Sequence, residues 1–542
     1  MTDVGKNRNS SNTSNPDVIV VGAGFGGLYM SHLLRQHGFN VVGFERGGGV
    51  GGTWYWNRYP GCRCDVESME YSYQFSDDLQ QAWEWSERYS SQPEILAYAE
   101  HVAERFDIAS LYQFNTEVVG ARYDRQAHSW TVDTDRAGSV TARFLIMATG
   151  CLSTANLPDF AGLEDYQGAV YHTGAWPQDG VDFTGKRVGV IGTGSSAIQS
   201  IPLIAAQAQS LTVFQRTANY SIPAQNRPID PAMVSEIKAN YADFRARNKL
   251  QQPAFGANFP RNADSVLDAT PEEREQRFEA HWNMGGFMFM GAFADLGLDL
   301  EANAYAADFV RNKIRRAVKN PQTAELLCPK TVIGCKRLCA DTGYYETYNR
   351  DNVTLVDVSE HPIDRLTEQG LITNGEAFEF DAIVFATGFD AMTGTLLKMD
   401  IAGLDGQKLE DKWSAGPRTY LGLMTAGFPN LFMMTGPGSP SVLANMITGV
   451  EQHAEYINEM LQAMRRASLT EVQPLADAED EWVGVVNMRS QATLYPQCNS
   501  WYLGANVSGK PRVFMPYIGF PDYVARLKEI REQQYEGFEM SA

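Results

Sequence analysis

Two segments of this chain repeat one pattern: a short β-branched run, a glycine-rich turn, then an apolar-periodic stretch. The first is PDVIVVGAGFGGLYMSHLLRQHG from Pro16, and the second is KRVGVIGTGSSAIQSIPLIAAQA from Lys186. Each run reads as a strand buried on both faces, and each periodic stretch as the helix that follows it. A strand that enters a helix through a glycine turn demands a parallel sheet with crossover connections. The pattern therefore restricts the chain to an α/β fold with two Rossmann-like dinucleotide-binding domains. Two further runs, RFLIMATG and DAIVFATGFD, end in the same tripeptide, at Ala148-Thr149-Gly150 and Ala386-Thr387-Gly388. Both read as buried strands that stop in a tight turn against a bound cofactor.

The two glycine turns differ in the chemistry that follows them. In the first, Gly22 permits the turn, Gly24 admits a pyrophosphate to the backbone, and Gly27 lets helix and strand approach. The next strand, NVVGFER, ends in Glu45, at roughly the 20-residue distance expected of a carboxylate that binds ribose hydroxyls. That arrangement calls for a free 2′-hydroxyl, as in FAD or NAD. The second turn is Gly192-x-Gly194-Ser195-x-Ala197, with alanine in the variant third position. Its following strand, LTVFQRT, ends without an acid and carries Arg216 and Thr217 instead. A guanidinium suits the 2′-phosphate of NADPH, which a carboxylate would repel. The expected order is FAD first, NADPH second.

Residues 227–331 carry helical stretches such as PEEREQRFEAHW and ADFVRNKIRRAVKN, and read as a helical insertion in the second domain. The chain after about Asp390 is too short and irregular for a third nucleotide fold and is expected to return to the first. The expected organisation is a disordered tail at 1–15, an FAD-binding domain at 16–155 and 391–542, and an NADPH-binding domain at 156–226 and 332–390. The polar start shows no signal peptide, and no run reaches the roughly 18 apolar residues of a membrane span. A net charge of −20 over 542 residues argues against nucleic acid and anionic membrane as partners. Seven cysteines lack C-x-x-C metal spacing; Cys335 and Cys339 have no further ligands nearby, so no metal site is expected. The cysteines read as reduced thiols in a cytoplasmic protein, a monomer or weak oligomer.

The linker between the two turns decides the chemistry. It runs Tyr166-Gln-Gly168-Ala-Val-Tyr-His172-Thr-Gly-Ala-Trp176-Pro177. This resembles the F-x-G-x-x-x-H-x-x-x-W-P fingerprint of Baeyer–Villiger monooxygenases, with tyrosine in place of phenylalanine. The stretch Gly51-Gly52-Thr53-Trp54-Tyr-Trp56-Asn-Arg-Tyr59-Pro-Gly-Cys-Arg-Cys-Asp65 is similar to the same family's second signature. Further landmarks extend the resemblance over nearly the whole chain beyond the tail.

The resemblance implies an oxidoreductase that uses NADPH and O₂ to turn a ketone into an ester or lactone. The route runs through a flavin C4a-peroxide and a Criegee-type adduct. It implies that Arg337 is the catalytic cation, that Asp65 holds it, and that Lys336 approaches the NADPH 2′-phosphate. Trp501, in SWYLGAN, resembles the tryptophan that folds over the nicotinamide cofactor, and Trp54, Trp56 and Tyr59 are expected near the flavin. Gly168, His172, Trp176 and Pro177 belong to the hinge between the domains, where His172 is expected to be structural. Leu443 and Met446, in GPGSPSVLANM, are the expected substrate-pocket residues. The alternative is an N- or S-oxidising flavin monooxygenase, against which Trp176 speaks. A disulfide reductase is disfavoured, since no redox C-x-x-C or C-x₄-C pair follows the first strand.

Overall fold

The computed structural model describes residues 16–542, so the tail expected at 1–15 lies outside the described residues. Two five-stranded parallel sheets form its frame. The first runs, edge to edge, through Leu431–Met433, Phe144–Met147, Val18–Val21, Val41–Phe44 and Tyr112–Gln113. The second runs through Val353–Asp357, Ser210–Gln215, Arg187–Ile191, Ala382–Phe385 and Ala169–His172. Val18–Val21 and Ala382–Phe385 are buried along their whole length, as strands covered on both faces must be. Leu431–Met433 sits at one edge of the first sheet, so the chain does return there after leaving the second.

The glycine turns are built alike. Gly22 N donates to Phe44 O at 2.8 Å, and Gly192 N donates to Phe214 O at 3.1 Å. Both glycines have positive φ, 106° and 115°, which a side chain would strain. A Cβ on Gly22 would lie 2.5 Å from Ala148 O, and one on Gly192 would lie 2.5 Å from Ala386 O. In each sheet the backbone carbonyl of the Ala-Thr-Gly alanine thus abuts the turn glycine. The helices Phe25–Gln36 and Ser195–Gln207 then start directly behind the turns.

Each unit also carries an antiparallel three-stranded meander that the sequence reading did not anticipate. In the first it comprises Val118–Asp124, Ser129–Thr134 and Ser139–Ala142; in the second, Ile363–Thr367, Gly370–Thr373 and Glu376–Glu379. Both feed straight into the strand that ends in Ala-Thr-Gly. The repeat therefore extends well beyond strand, turn and helix.

Between the adjacent strands Ser210–Gln215 and Val353–Asp357, the chain leaves the second sheet for a helical segment. Its helices are Pro231–Ala239, Tyr241–Lys249, Pro271–Met284, Leu300–Ala317 and Pro321–Leu327. Local sequence starts them firmly. Asp230, Asp299 and Asn320 accept hydrogen bonds from first-turn N–H groups, and Thr270 with Glu273 forms a capping box. Buried Arg245 ties this segment to the first unit, donating to Glu70 O at 3.1 Å, Ser72 Oγ at 2.7 Å and Gln80 Oε1 at 3.0 Å. Among the described residues no helix is long and apolar enough to cross a membrane.

One expectation about the cysteines is overturned. Cys335 and Cys498 form a disulfide, so the chain does not hold seven reduced thiols. Their 163-residue separation hid the pairing, since a bond between distant segments leaves no trace in local spacing. Cys62, Cys64, Cys151, Cys328 and Cys339 are free and buried.

Candidate active site

The carboxyl ends of both sheets open into one cavity of about 1450 Å³. That exceeds the roughly 300–1,000 Å³ of an ordinary single-ligand pocket. Gly22 and Gly24 line it from one side, and Gly192, Gly194 and Ser195 from the other. Gly27 and Ala197 lie behind the turns, away from the cavity. A Cβ on Gly27 would approach Gly22 O to 1.8 Å, whereas the methyl of Ala197 is fully buried without conflict.

Glu45 follows the strand Val41–Phe44 directly and is buried. Its carboxylate accepts from Ala23 N at 2.8 Å and Gly47 N at 2.7 Å, which fixes it at the cavity wall. Gly52, at φ 55°, faces Gly24 so closely that a Cβ on it would stand 2.8 Å from Gly24 Cα. Two bare backbones thus pack directly against each other in the cavity wall. Thr53 and Trp54 continue this wall at the start of the helix Thr53–Trp56, and Trp56 and Tyr59 line the cavity beyond it. Trp54 Nε1 donates to Tyr71 Oη at 3.2 Å.

Arg216 and Thr217 follow the strand Ser210–Gln215, exposed at the cavity edge. Thr193 Oγ1 donates to Thr217 O at 2.8 Å and fixes that turn. Lys336 comes from a different part of the chain yet lies close enough to feel Arg216. Burial lowers its pKa, and the Arg216 charge lowers it further. Among the described residues neither cation has a carboxylate within ion-pair distance. Two like charges gathered without a counter-charge suit a phosphate dianion.

Arg337 lines the same cavity as the two glycine turns. Its Nε donates to Asp65 Oδ2 and its Nη2 to Asp65 Oδ1, both at 2.8 Å, a bidentate pair. Nη1 donates to Val442 O at 2.8 Å, and the Phe287 ring centre lies 4.9 Å from the guanidinium carbon. About a quarter of each ionic side chain remains open, 25% for Arg337 and 23% for Asp65. Burial alone would weaken the charge on Arg337. Asp65, and then the neighbouring Tyr502 hydroxyl, outweigh burial and hold its pKa well above the usual arginine value.

Trp501 lines the cavity in the short turn Trp501–Leu503, its ring 4.3 Å from that of Tyr502. Met446 lines the cavity beside Val442 and Ala444, but Leu443 does not. The turn Ser441–Leu443 rotates Leu443 toward the cluster around Cys151, Met392 and Phe514. Val442 and Ala444 face the cavity in its place.

The linker fingerprint lies outside the cavity. Gly168 lets the Tyr166 ring fold over the backbone, since a Cβ there would meet Tyr166 Oη at 2.1 Å. His172 Nδ1 accepts from Gly174 N at 2.9 Å, and its Nε2 lies 3.3 Å from Thr387 Oγ1. Burial lowers its pKa from the ordinary histidine value. Trp176, just before Pro177, packs between Tyr171 and Phe183. Sequence reasoning missed Phe287, Val442, Tyr502 and the two bonded cysteines. The last three stand beside motifs that it did find: Tyr502 next to Trp501, Cys335 next to Lys336, and Cys498 three residues before Trp501.

The pattern of the pyridine nucleotide-disulphide oxidoreductase family matches residues 19–252. A Baeyer–Villiger monooxygenase of Pseudooceanicola batsensis is 44% identical over 524 residues, 96% of this chain and 95% of that protein. The chain belongs to the Baeyer–Villiger monooxygenase family. Its fold matches that of an oxidised steroid monooxygenase bound to NADP, at 50% identity and a TM-score of 0.92, covering 97% of this chain and 100% of that one. A phenazine N-monooxygenase of Lysobacter antibioticus is also similar, 40% identical over 96% of both chains.

Proposed function

We propose that this oxidoreductase binds FAD at the first glycine turn and NADPH at the second, and inserts one atom of O₂ beside a ketone carbonyl. The product is an ester or lactone. In this reading residues 16–155 and 391–542 hold FAD, and 156–226 with 332–390 hold NADPH. Bound flavin, once reduced, supplies the electrons and the oxygen-transferring chemistry.

The residues fit both groups. Gly22, Gly24 and Gly52 line the cavity without side chains, so a pyrophosphate can approach the backbone there, and the helix N-terminus behind them presents free N–H groups. Glu45 is held ready to accept from ribose hydroxyls. Arg216, Lys336 and Thr217 face the 2′-phosphate, with Gly192, Gly194 and Ser195 against the pyrophosphate.

The observation that carries the reading is the Arg337–Asp65 pair, open to the cavity that both turns line. A fixed guanidinium there stabilises negative charge on oxygen, both on the attacking atom and on the carbonyl as it becomes tetrahedral. Asp65 positions that group, and Val442 O fixes its third edge. Val442, Ala444 and Met446 make the adjoining wall apolar, which suits a carbon skeleton and keeps water out. His172 and Trp176 act on the frame and not on the reacting atoms.

Arg337→Ala tests this. The variant should retain bound flavin and bind NADP⁺, both measured spectroscopically, while ester formation falls by at least about 10²–10³-fold. Ester formation near the wild-type rate would overturn the assignment. The phenazine N-monooxygenase relative supports a second reading, oxidation at nitrogen or sulfur. Mass analysis after incubation with a ketone panel, a sulfide and an aromatic amine separates the two. N-oxide or sulfoxide without any ester favours the second.

A further inference from the structure

None of the roles given above uses the Cys335–Cys498 disulfide. It joins positions 163 residues apart, with 6.1 Å between the Cα atoms. Cys335 directly precedes Lys336 and Arg337. Cys498 opens a segment of which Asn499, Ser500, Trp501, Asn506 and Lys510 line the cavity. The far half of that segment is held by hydrogen bonds. Asn506 Nδ2 donates to Phe389 O at 2.7 Å, Asn156 Nδ2 to Asn506 O at 3.1 Å, and Lys510 Nζ to Ala391 O at 2.7 Å. Its near end is tied by the disulfide to the stretch that carries both cations.

We infer that Cys498 is a thiol–disulfide exchange site, and that the state of its bond sets how firmly segment 499–512 covers the second nucleotide. The inference rests on the NADPH assignment above. Cys335 is buried at 1% exposure, whereas Cys498 is half-buried, so an external thiolate reaches Cys498 first. That thiolate forms a bond to Cys498 Sγ, and the electron pair of the protein S–S bond leaves with Cys335 as its thiolate. Lys336, next in the chain and without a carboxylate in ion-pair distance among the described residues, favours the anion. A second exogenous thiol then displaces the mixed disulfide. The balance is two protein thiols and one small-molecule disulfide, with two electrons and two protons passed to the protein. In a reducing compartment a bond of this kind is a sensor and not a permanent staple. Once it opens, the segment must be ordered at each nucleotide binding, which weakens affinity.

The test uses the full-length, flavin-loaded protein with small-molecule thiol and dithiol reductants. Protein purified in air and then denatured should show five titratable thiols, and seven after reduction. Reduced wild type and Cys498→Ser should bind NADP⁺ about tenfold more weakly, and should gain protease cuts within 499–512. Re-oxidation should reverse both changes in the wild type and neither in the variant. Cys335→Ser is the second variant, should the first fold poorly. Seven thiols before reduction, or unchanged NADP⁺ affinity and digestion after it, overturns the inference. If ester forms equally in both states with unchanged affinity, the switch fails and the proposed function stands. If affinity shifts but no ester ever forms, the proposed function fails alone.

Discussion

The two glycine-turn units have the same hydrogen bonds, the same Ala-Thr-Gly buttress and the same meander, yet the residues that follow their second strands are opposites. In the first, Glu45 is buried and held by two backbone N–H groups, and Gly52 closes over Gly24. In the second, Arg216 is exposed, Lys336 comes from beyond a helical insertion, and nothing lies within 4 Å of a Cβ on Gly194. One site is closed by its own backbone and suits a resident group. The other is open and completed by distant segments, as a group that must enter and leave requires. In the proposed function, a shared scaffold would set where the nucleotides lie, and the surrounding chain how long they stay.

The sharpest way to break the comparison is at the third turn position. Gly27→Ala drives a methyl into Gly22 O, a backbone atom that cannot step aside. We expect a loss of more than about 3 kcal/mol in stability and protein purified with little bound flavin. Thermal unfolding and the absorbance of the purified protein report both. Near-normal flavin content would show that the first turn is looser than its packing implies.

A second handle is pH. Glu451, on the helix Met446–Arg466 packed against the first glycine helix, is buried, and burial pushes its pKa up to about 7. One of its oxygens accepts from Gln74 N at 2.6 Å and Phe75 N at 3.0 Å, but the other has no partner among the described residues. Asp341, in the second unit, is raised by burial too, yet it accepts from Ser221 Oγ, Gly343 N and Tyr344 N. A carboxyl raised in the folded state binds a proton that the unfolded chain has released. Stability therefore falls as pH rises from about 4.5 toward 7, by on the order of 3 kcal/mol for Glu451. Denaturant midpoints should fall less steeply with rising pH in Glu451→Gln than in the wild type, where buried Glu70, pushed up to about 8, adds to the slope, with a smaller change in Asp341→Asn. A profile identical to wild type in Glu451→Gln would remove Glu451 as the source.

The parts legible in the sequence were those set by local backbone needs. Gly22, Gly24, Gly192 and Gly194 announce their turns because few other residues could stand there, and the strands beside them announce burial by composition. Glu45 and Arg216 were legible because each immediately follows its strand. The meanders were not legible, because half-exposed antiparallel strands such as Glu376–Glu379 look polar and irregular without their partners. The disulfide and the Phe287 contact with Arg337 were hidden for another reason: both join segments far apart in sequence. Leu443 failed by one residue, since a tight turn changes which neighbour faces the cavity.

Two smaller changes sharpen the contrast from the open side. Arg216→Ala should leave flavin content unchanged while weakening the preference for NADPH over NADH by tenfold or more, the loss of one charge-assisted hydrogen bond of about 1.5–3 kcal/mol. KM for each nucleotide measures this, and an unchanged ratio would mean that Lys336 alone reads the phosphate. Smallest of all should be Ala197→Gly, the mirror of Gly27→Ala. Ala197 already carries its methyl in a helix that accepts it, so removing it creates no clash and costs only helix propensity and a little packing, about 1 kcal/mol. Unfolding midpoints of the two variants side by side decide the point. If the two losses prove equal, the third turn position is under the same constraint in both units, and the difference between closed and open sites must arise wholly from Gly52, Glu45 and the distant cations.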